Sequence, residues 1–487
     1  MKDTSKGELF KDVVAALERA GHKMCVLRNY QSYPERLGHD VDAISENPGQ
    51  IPHILSEQQV AALVQDYRDE TLFLAGSTPI EAKQIYVLCR WHRNEPVFIQ
   101  LDAVADLRYF GRLFYSGEEF FRASRQFKFF KVPSAELEFG AYLIKHIAKR
   151  TLNEANFRRL TELYEEDPAG CDRQLARFFP RAENTFIADS VSRGDWKPVL
   201  GAIDRLKREL LDKAGREPPL KLLLHRLDAR WRRLERFVRP PGLMVAFLGV
   251  DGAGKSAVIA RVSLDLGPVF ENIKQYHKRT FPSAIEWTKR YLLRARPGEL
   301  EAEGVPAHKD GSGLSYDSPA QPPSEPHDPH ALPPRKLLVS LAKLGFTWGN
   351  YTLAGYVADI YPRLVRSTLV LLDRCYHDVL VDPRRYRYGG PAWVARAVGW
   401  FIPRPQLVIL LDAPPDVLYS RKRELPFEEI ARQREAYLEL TRKLSNGYVV
   451  DASKPLDEVV FRVERLILDY MAKRTARRSK YNLKSIP

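Results

Sequence analysis

A chain of 487 residues is too long for one ordinary core and predicts two or three domains. With 44% hydrophobic and 28% charged residues, and no apolar run near the roughly 18 residues that a bilayer-spanning helix requires, the composition excludes helical membrane spans and fits a soluble protein. The net charge of +14 calls for an anionic partner but does not choose among nucleotides, nucleic acid, acidic glycans and a membrane surface.

The first residues, MKDTSKGELFKDVVAALERAG, mix charges into a helical pattern and lack the apolar core and cleavage site of a secretory signal, so export is not expected. Cys25, Cys89, Cys171 and Cys375 lie far apart without a CxxC pair. This usage predicts reduced thiols and a cytoplasmic location.

Short strands follow at KMCVLRNY and VDAIS, then a helix near Gln58 to Tyr67, then strands at QIYVLCR and VFIQLDAV. Together residues 1–106 predict a small α/β domain. Its VDAIS strand opens on His39-Asp40-Val41-Asp42, and Asp102 lies on VFIQLDAV. Side chains alternate along a strand, so Asp40 and Asp42 share a face; a third carboxylate from a neighbouring strand would complete a site for two Mg²⁺ ions. A surface acidic turn is the bland alternative. Over roughly residues 8–105 the arrangement resembles the nucleotidyltransferase superfamily, which implies metal binding by Asp40, Asp42 and Asp102. It departs from that pattern where Arg28-Asn29 stands near the place of the superfamily's Gly-Ser pair.

From about 107 to 240 β-like runs are scarce. ELEFGAYLIKHIAKRTL and LGAIDRLKRELLDKAG have helical spacing and predict a helical connector, ending where Pro240-Pro241-Gly242 breaks any helix.

Next come the apolar run LMVAFLGV, a glycine loop, and AVIARVSLDL with helical spacing. The later runs TLVLLD, QLVILLD and GYVVDA are uniformly apolar, as strands covered on both faces should be, and helical patterns separate them. Residues 241–470 therefore predict a three-layer α/β domain with a parallel sheet. Residues 296–335 are rich in Pro, Gly, Ser and charge and read as a flexible insertion. The segment 471–487 carries six Lys and Arg and no acid, and reads as a solvated, frayed basic tail.

Gly249-Val250-Asp251-Gly252-Ala253-Gly254-Lys255-Ser256 satisfies GxxxxGK(S/T) between a predicted strand and a predicted helix. Such glycines let backbone N–H groups from Gly249 through Ala257 wrap phosphate oxygens. Lys255 would neutralise the β and γ phosphates of ATP, and Ser256 would ligate Mg²⁺.

The features around this loop resemble the thymidylate kinase family over about residues 243–465. FLGVDGAGKS resembles that family's P-loop, and Asp373-Arg374 after TLVLLD resembles its DR motif. LVILLDAPPDVLYSRKRE resembles its next strand and the start of an arginine-bearing lid, and GYVVDAS the strand and loop beside the adenine. The resemblance implies that Asp373 acts near Mg²⁺ and the acceptor, and that Arg374 binds the acceptor's anionic group. Arg421 is the favoured lid arginine among Arg421, Lys422, Arg423, Arg432 and Arg434, although a charged helix face would look the same. The family's REPGGT-like stretch is missing; its place holds Gln275-Tyr276-His277-Lys278-Arg279-Thr280-Phe281-Pro282, where Arg279 could clamp an anionic acceptor.

Asp251 or Asp373 could accept a proton from a hydroxyl acceptor, whereas Arg279 and Arg374 suit one already negative. These expectations amount to ATP- and Mg²⁺-dependent phosphoryl transfer to a nucleoside monophosphate or related small acceptor. A kinase for a sugar or surface-polysaccharide intermediate, with a nucleotidyltransferase in the first domain, is the alternative. A non-catalytic ATP-binding regulator whose basic surfaces contact nucleic acid is the next, and self-association stays open.

Overall fold

The protein is described by a computed structural model over residues 2–28, 30–33, 40–70, 82–213, 227, 230–231, 234–277, 330, 333–480 and 486–487. The chain divides into two compact units, Met1–Glu235 with Leu468–Pro487, and Arg236–Ile467.

In the first unit, helix α1 (Lys2–Arg19) places Leu9, Phe10, Val13, Val14 and Leu17 on one stripe. That stripe packs against a mixed sheet. The sheet contains β1 (Met24–Val26), β2 (Asp40–Ser45), β3 (Ala62–Glu70), β4 (Ala82–His92) and β5 (Glu95–Val104) in the order β1-β2-β5-β4-β3. Only β2 and β5 pair in parallel, and their register sets Asp42 opposite Asp102.

The helix expected over Gln58–Tyr67 does not form. Helix α2 (Ile51–Glu57) stops before it, and the chain continues as β3. Ala62, Leu63, Val64 and Gln65 are all buried, so this strand is covered on both faces and its sequence carries no alternation to betray it.

The middle region is likewise less purely helical than expected. It opens with two hairpins, β6 (Leu107–Tyr109) with β7 (Arg112–Tyr115), and β8 (Ser124–Phe127) with β9 (Phe130–Pro133), around a short helix α3 (Gly117–Arg122). Phe110 and Gly111 both take positive φ at the first turn, as a tight hairpin requires. Helices α4 (Ala135–Lys149), α5 (Glu154–Glu166), α6 (Pro168–Phe178), α7 (Arg181–Ser192), α8 (Lys197–Gly201) and α9 (Ile203–Lys213) follow, sharing a core that includes Phe139, Leu143, Phe157, Leu160 and Leu175. All of them lie in the first unit.

The second unit is a five-stranded sheet in the order β11-β12-β10-β13-β14, parallel throughout. Its strands are β10 (Leu243–Leu248), β11 (Asn272–His277), β12 (Thr368–Asp373), β13 (Leu407–Asp412) and β14 (Gly447–Asp451). Every residue of β10 and β12 is buried, as their unbroken apolar runs demand. Helix α10 (Lys255–Asp265) follows β10. Helix α11 (Leu337–Gly349) continues through a wide π-type stretch, Asn350–Ile360, into α12 (Tyr361–Val365). Then come α13 (His377–Val381), α14 (Ala392–Trp400), α15 (Pro415–Arg421), α16 (Phe427–Arg442) and α17 (Leu456–Ser479).

The basic tail is not frayed. Helix α17 runs to Ser479, and its last turns belong to the first unit. Thr475 Oγ1 donates to Val64 O at 3.1 Å, Ser479 Oγ to Asp66 Oδ2 at 2.6 Å, and Ala476 joins the α1 core. Farther on, Trp91 N donates to Pro487 O at 2.8 Å. The cations face outward on Lys473, Arg477 and Arg478 while Met471, Ala472, Thr475 and Ala476 are buried. No helix among the described residues is long and apolar enough to cross a membrane.

Candidate active site

The carboxyl ends of β10 and β12 lie side by side, with Phe247 in register with Asp373. Residues after these two strands therefore meet in the crevice at the sheet's carboxyl edge, where parallel α/β sheets bind ligands. From β10 the chain turns through Gly249 (φ 144°), Gly252 (φ 90°) and Gly254 (φ 82°). A Cβ on Gly249 would stand 2.6 Å from Leu411 O, and one on Gly252 2.9 Å from Leu418 O, so glycine is required there by space as well as by φ. Ala253 is buried in the loop, and Ser256 and Ala257 open α10.

Lys255 is buried, and its Nζ donates to Gly249 O at 2.8 Å and Val250 O at 3.1 Å, which holds the ammonium inside the loop's curve. Burial, reinforced by the Arg374 charge, pulls its pKa down to about 8 against the opposing pull of Asp251 and Asp373. Ser256 Oγ donates to Asp373 Oδ2 at 3.2 Å. A hydroxyl and a carboxylate this close form the hard-oxygen pair that Mg²⁺ prefers, so these residues fit the ion.

Asp251 is the hub of the site. Arg374 Nη2 donates to its Oδ1, Arg385 Nη2 to its Oδ2 at 2.5 Å, and Lys255 Nζ lies 3.9 Å away. Burial raises the Asp251 pKa, but Arg374, Lys255 and Arg385 outweigh it and hold the carboxyl well below its usual range. Arg374 adopts φ 77°, a left-handed conformation that non-glycine residues avoid, and its N–H donates to Phe247 O at 3.1 Å. Its Nη1 donates to Asp378 Oδ1 at 3.0 Å. Asp378 is fully buried and also accepts from Tyr437 Oη at 2.5 Å and Cys375 N at 2.9 Å, so a second carboxylate orients the arginine from behind.

Of the lid candidates, Lys422 and Arg421 both stand against the loop, their Cβ atoms 3.3 and 3.6 Å from the position of a Cβ built on Gly252; Arg421 Nη1 donates to Ala452 O at 2.9 Å, in the loop after β14. Lys422 pairs with Glu424 at 2.9 Å and Arg423 lies over the Tyr419 ring. Arg432 is held by Glu429 on its own helix, and Arg434 grips Asp412 with two bonds of 2.8 Å. Arg432 and Arg434 are thus engaged in local ion pairs. Arg279 lies outside the described residues.

In the first unit Asp40, Asp42 and Asp102 do converge, with ligand oxygens within 4.8 Å of one another. Arg28 is bonded to Asp42 and lies 3.8 Å from Asp40, and Lys83 is bonded to Asp102, which also accepts from Gln100 at 2.9 Å. Two side-chain cations thus occupy the face where metal ions would sit.

Sequence reasoning missed Arg385, Asp378 and Tyr437. Asp378 had a signal, since it follows Arg374 by four residues at the start of a helix. Arg385 had none beyond its basic neighbourhood. Also unforeseen is a group of His330, Asp382 and Glu429, in which His330 Nε2 lies 2.8 Å from Asp382 Oδ1.

No protein-family model matches the chain. Over 112 residues it is 36% identical to "Probable thymidylate kinase 1" of Saccharolobus solfataricus, covering 21% of this chain and 55% of that protein. Over 122 residues it is 33% identical to "Probable thymidylate kinase" of Archaeoglobus fulgidus, covering 23% of this chain and 60% of that one. The chain thus spans little more than half the length of these relatives, and about a fifth of it is a thymidylate-kinase-like region. Among solved structures it is similar to a thymidylate kinase of Ehrlichia chaffeensis, at 16% identity and a TM-score of 0.29, over 46% of this chain and 97% of that one.

Proposed function

We propose that the second unit is an ATP-dependent phosphotransferase of the thymidylate kinase type, moving the γ-phosphate of ATP to a small anionic acceptor, with a nucleoside monophosphate as the leading class. The observation that carries this reading is the meeting of Arg374 and Arg385 on Asp251 beside the Lys255 loop. Arginines at the mouth of a phosphate loop suit an acceptor whose attacking oxygen is already negative.

In this mechanism the loop amides and Lys255 bind the β and γ phosphates, and Ser256 and Asp373 would hold Mg²⁺, which would neutralise charge on the phosphate oxygens. The acceptor oxygen forms a bond to the γ phosphorus as the bond to the β-bridging oxygen breaks, and ADP leaves. Arg374 and Arg385 orient the acceptor while Arg421 closes over the loop and excludes water. Asp251 keeps the two arginines apart and aimed; its depressed pKa argues against a role as base, so a hydroxyl acceptor would depend on Asp373. The test is ATP turnover with a panel of nucleoside monophosphates and sugars. Consumption with one acceptor, abolished by Lys255→Ala, supports the reading, and binding without turnover favours a regulator.

A second reading concerns the first unit, where the convergence of Asp40, Asp42 and Asp102 supports a metal-dependent nucleotidyl transfer. Arg28 and Lys83 must then yield to the ions. Labelled nucleoside triphosphates should give a transferred product that Asp40→Asn with Asp42→Asn abolishes; identical products from both proteins would remove this reading.

A further inference from the structure

Helices α11 and α14 of the second unit lie side by side and run in the same direction. Arg335 N donates to Arg387 O just before both helices begin, and Trp348 Nε1 donates to Phe401 O where both end. Their inner faces bury Leu344 and Ala395 over Tyr376 and Ile402. Their outer faces are the unusual part. Leu338 is 79% exposed, Phe346 64%, Trp393 69%, Trp400 74% and Phe401 70%. Trp393, Arg396 and Trp400 fall three and four residues apart, which makes them one exposed stripe. The patch continues past α11 through Leu353 and Val357. A folded surface rarely leaves so many large apolar side chains together unless something covers them.

Among the described residues, the two segments that build the patch carry charge of one sign. Residues 333–358 contain Arg335, Lys336 and Lys343 and no acid; residues 383–406 contain five arginines and no acid. Exposed Lys336, Lys343, Arg384, Arg396 and Arg404 therefore surround an aromatic and aliphatic face. Glu439 on α16, whose charge is felt by Arg396, is itself paired with Lys443 at 2.5 Å.

We propose that this face docks on the surface of a bilayer carrying anionic lipid headgroups, with Trp393, Trp400, Phe401 and Phe346 entering the headgroup boundary and the surrounding cations meeting lipid phosphates. Indole and phenyl rings beside lysine and arginine are the side chains that partition to this boundary, and helices lying in its plane bury one apolar face. Self-association through a twofold axis would set the like charges of these two segments against each other, with no acid within either segment to offset them. Single-stranded nucleic acid would stack on the exposed rings but leave the aliphatic Leu338, Val339, Leu353 and Val357 uncovered.

The experiment uses the full chain with extruded vesicles of phosphatidylcholine alone or mixed with phosphatidylglycerol, read by co-sedimentation. Binding should favour the anionic vesicles by roughly tenfold and weaken with salt. Lys343→Glu with Arg396→Glu should remove that preference. Trp393→Phe with Trp400→Phe keeps the bulk of the face and guards against misfolding; it should lose the fluorescence quenching that brominated phosphatidylglycerol produces in the unchanged chain. Three results would overturn the proposal: no sedimentation with anionic vesicles at low salt, quenching unchanged in the double phenylalanine variant, or an oligomer that Trp393→Ser with Phe401→Ser converts to monomer.

Discussion

Asp251 receives Arg374 on one carboxylate oxygen and Arg385 on the other, so one partly buried anion at the lip of the glycine loop holds two guanidinium groups that approach from beyond β12. Neither arginine needs Asp251 for its charge. What Asp251 supplies is position, and position is what an in-line transfer between two anionic substrates requires.

Arg385→Ala should therefore weaken the acceptor more than ATP. Loss of one charge-assisted bond is worth about 1.5 to 3 kcal/mol, so the acceptor KM should rise roughly tenfold to a hundredfold. The Kd for ATP, measured by calorimetry, should change far less. Equal losses for both ligands would assign Arg385 to the fold instead.

Gly249→Ala tests the loop. Its φ of 144° and the 2.6 Å approach of a built Cβ to Leu411 O leave no room for a methyl group without moving β13. Strain of this kind costs on the order of 1 to 3 kcal/mol. The variant should fold with a lowered Tm and lose most nucleotide affinity, whereas Gly267→Ala, with nothing within 4 Å of the added carbon, should bind as before.

The turn through Gly249, Gly252 and Gly254 was legible because its demands are local: three closely spaced glycines supply its positive φ just ahead of a helix. The parallel sheet was legible for a related reason, since strands buried on both faces are apolar throughout. Arg385 was not, because its partner lies more than a hundred residues earlier and only the fold joins them. The tail misled through composition. Counting its cations hides the stripe of Met471, Ala472, Thr475 and Ala476, whose helical spacing carries the burial. At β3 the same unbroken apolar character that identifies a buried strand elsewhere was short enough to pass for a helix.

Removing residues 474–487 should accordingly destabilise the first unit. The cut deletes the bonds of Thr475 to Val64 and of Ser479 to Asp66, the Pro487 acceptor of Trp91, and the Ala476 contact. At about 1 kcal/mol for each hydrogen bond the loss is on the order of 3 kcal/mol, and the unfolding midpoint in urea should fall visibly. An unchanged midpoint would restore the reading of a solvated tail.

His146 should make the stability of the first unit acid-sensitive. Burial lowers its pKa to about 4, against the raising effect of the Thr151 contact, and its Nδ1 is hydrogen-bonded with Thr151 Oγ1 at 2.9 Å. The unfolded chain, with an ordinary histidine near 6.5, binds the proton more readily than the folded one between those two values. Stability from the neutral ring is therefore full above pH about 6.5 and is lost as pH falls toward 4, by up to about 3 kcal/mol. His146→Gln should flatten that slope in urea titrations across the window.

Arg421 and Arg434 separate lid from scaffold. Arg434 is committed to Asp412 through two parallel bonds at the end of β13, whereas Arg421 touches one carbonyl, Ala452 O, and stands over Gly252. A side chain doubly bonded to a carboxylate would have to break that pair before it could swing onto a phosphate, and one held by a single carbonyl moves at smaller cost. Arg434→Ala should then lower Tm and leave kcat of the surviving folded protein nearly intact. Arg421→Ala should leave Tm nearly intact and lower kcat by at least about tenfold, the effect of losing one cation from the transition state. If the two variants exchange these signatures, α16 and not α15 closes the site.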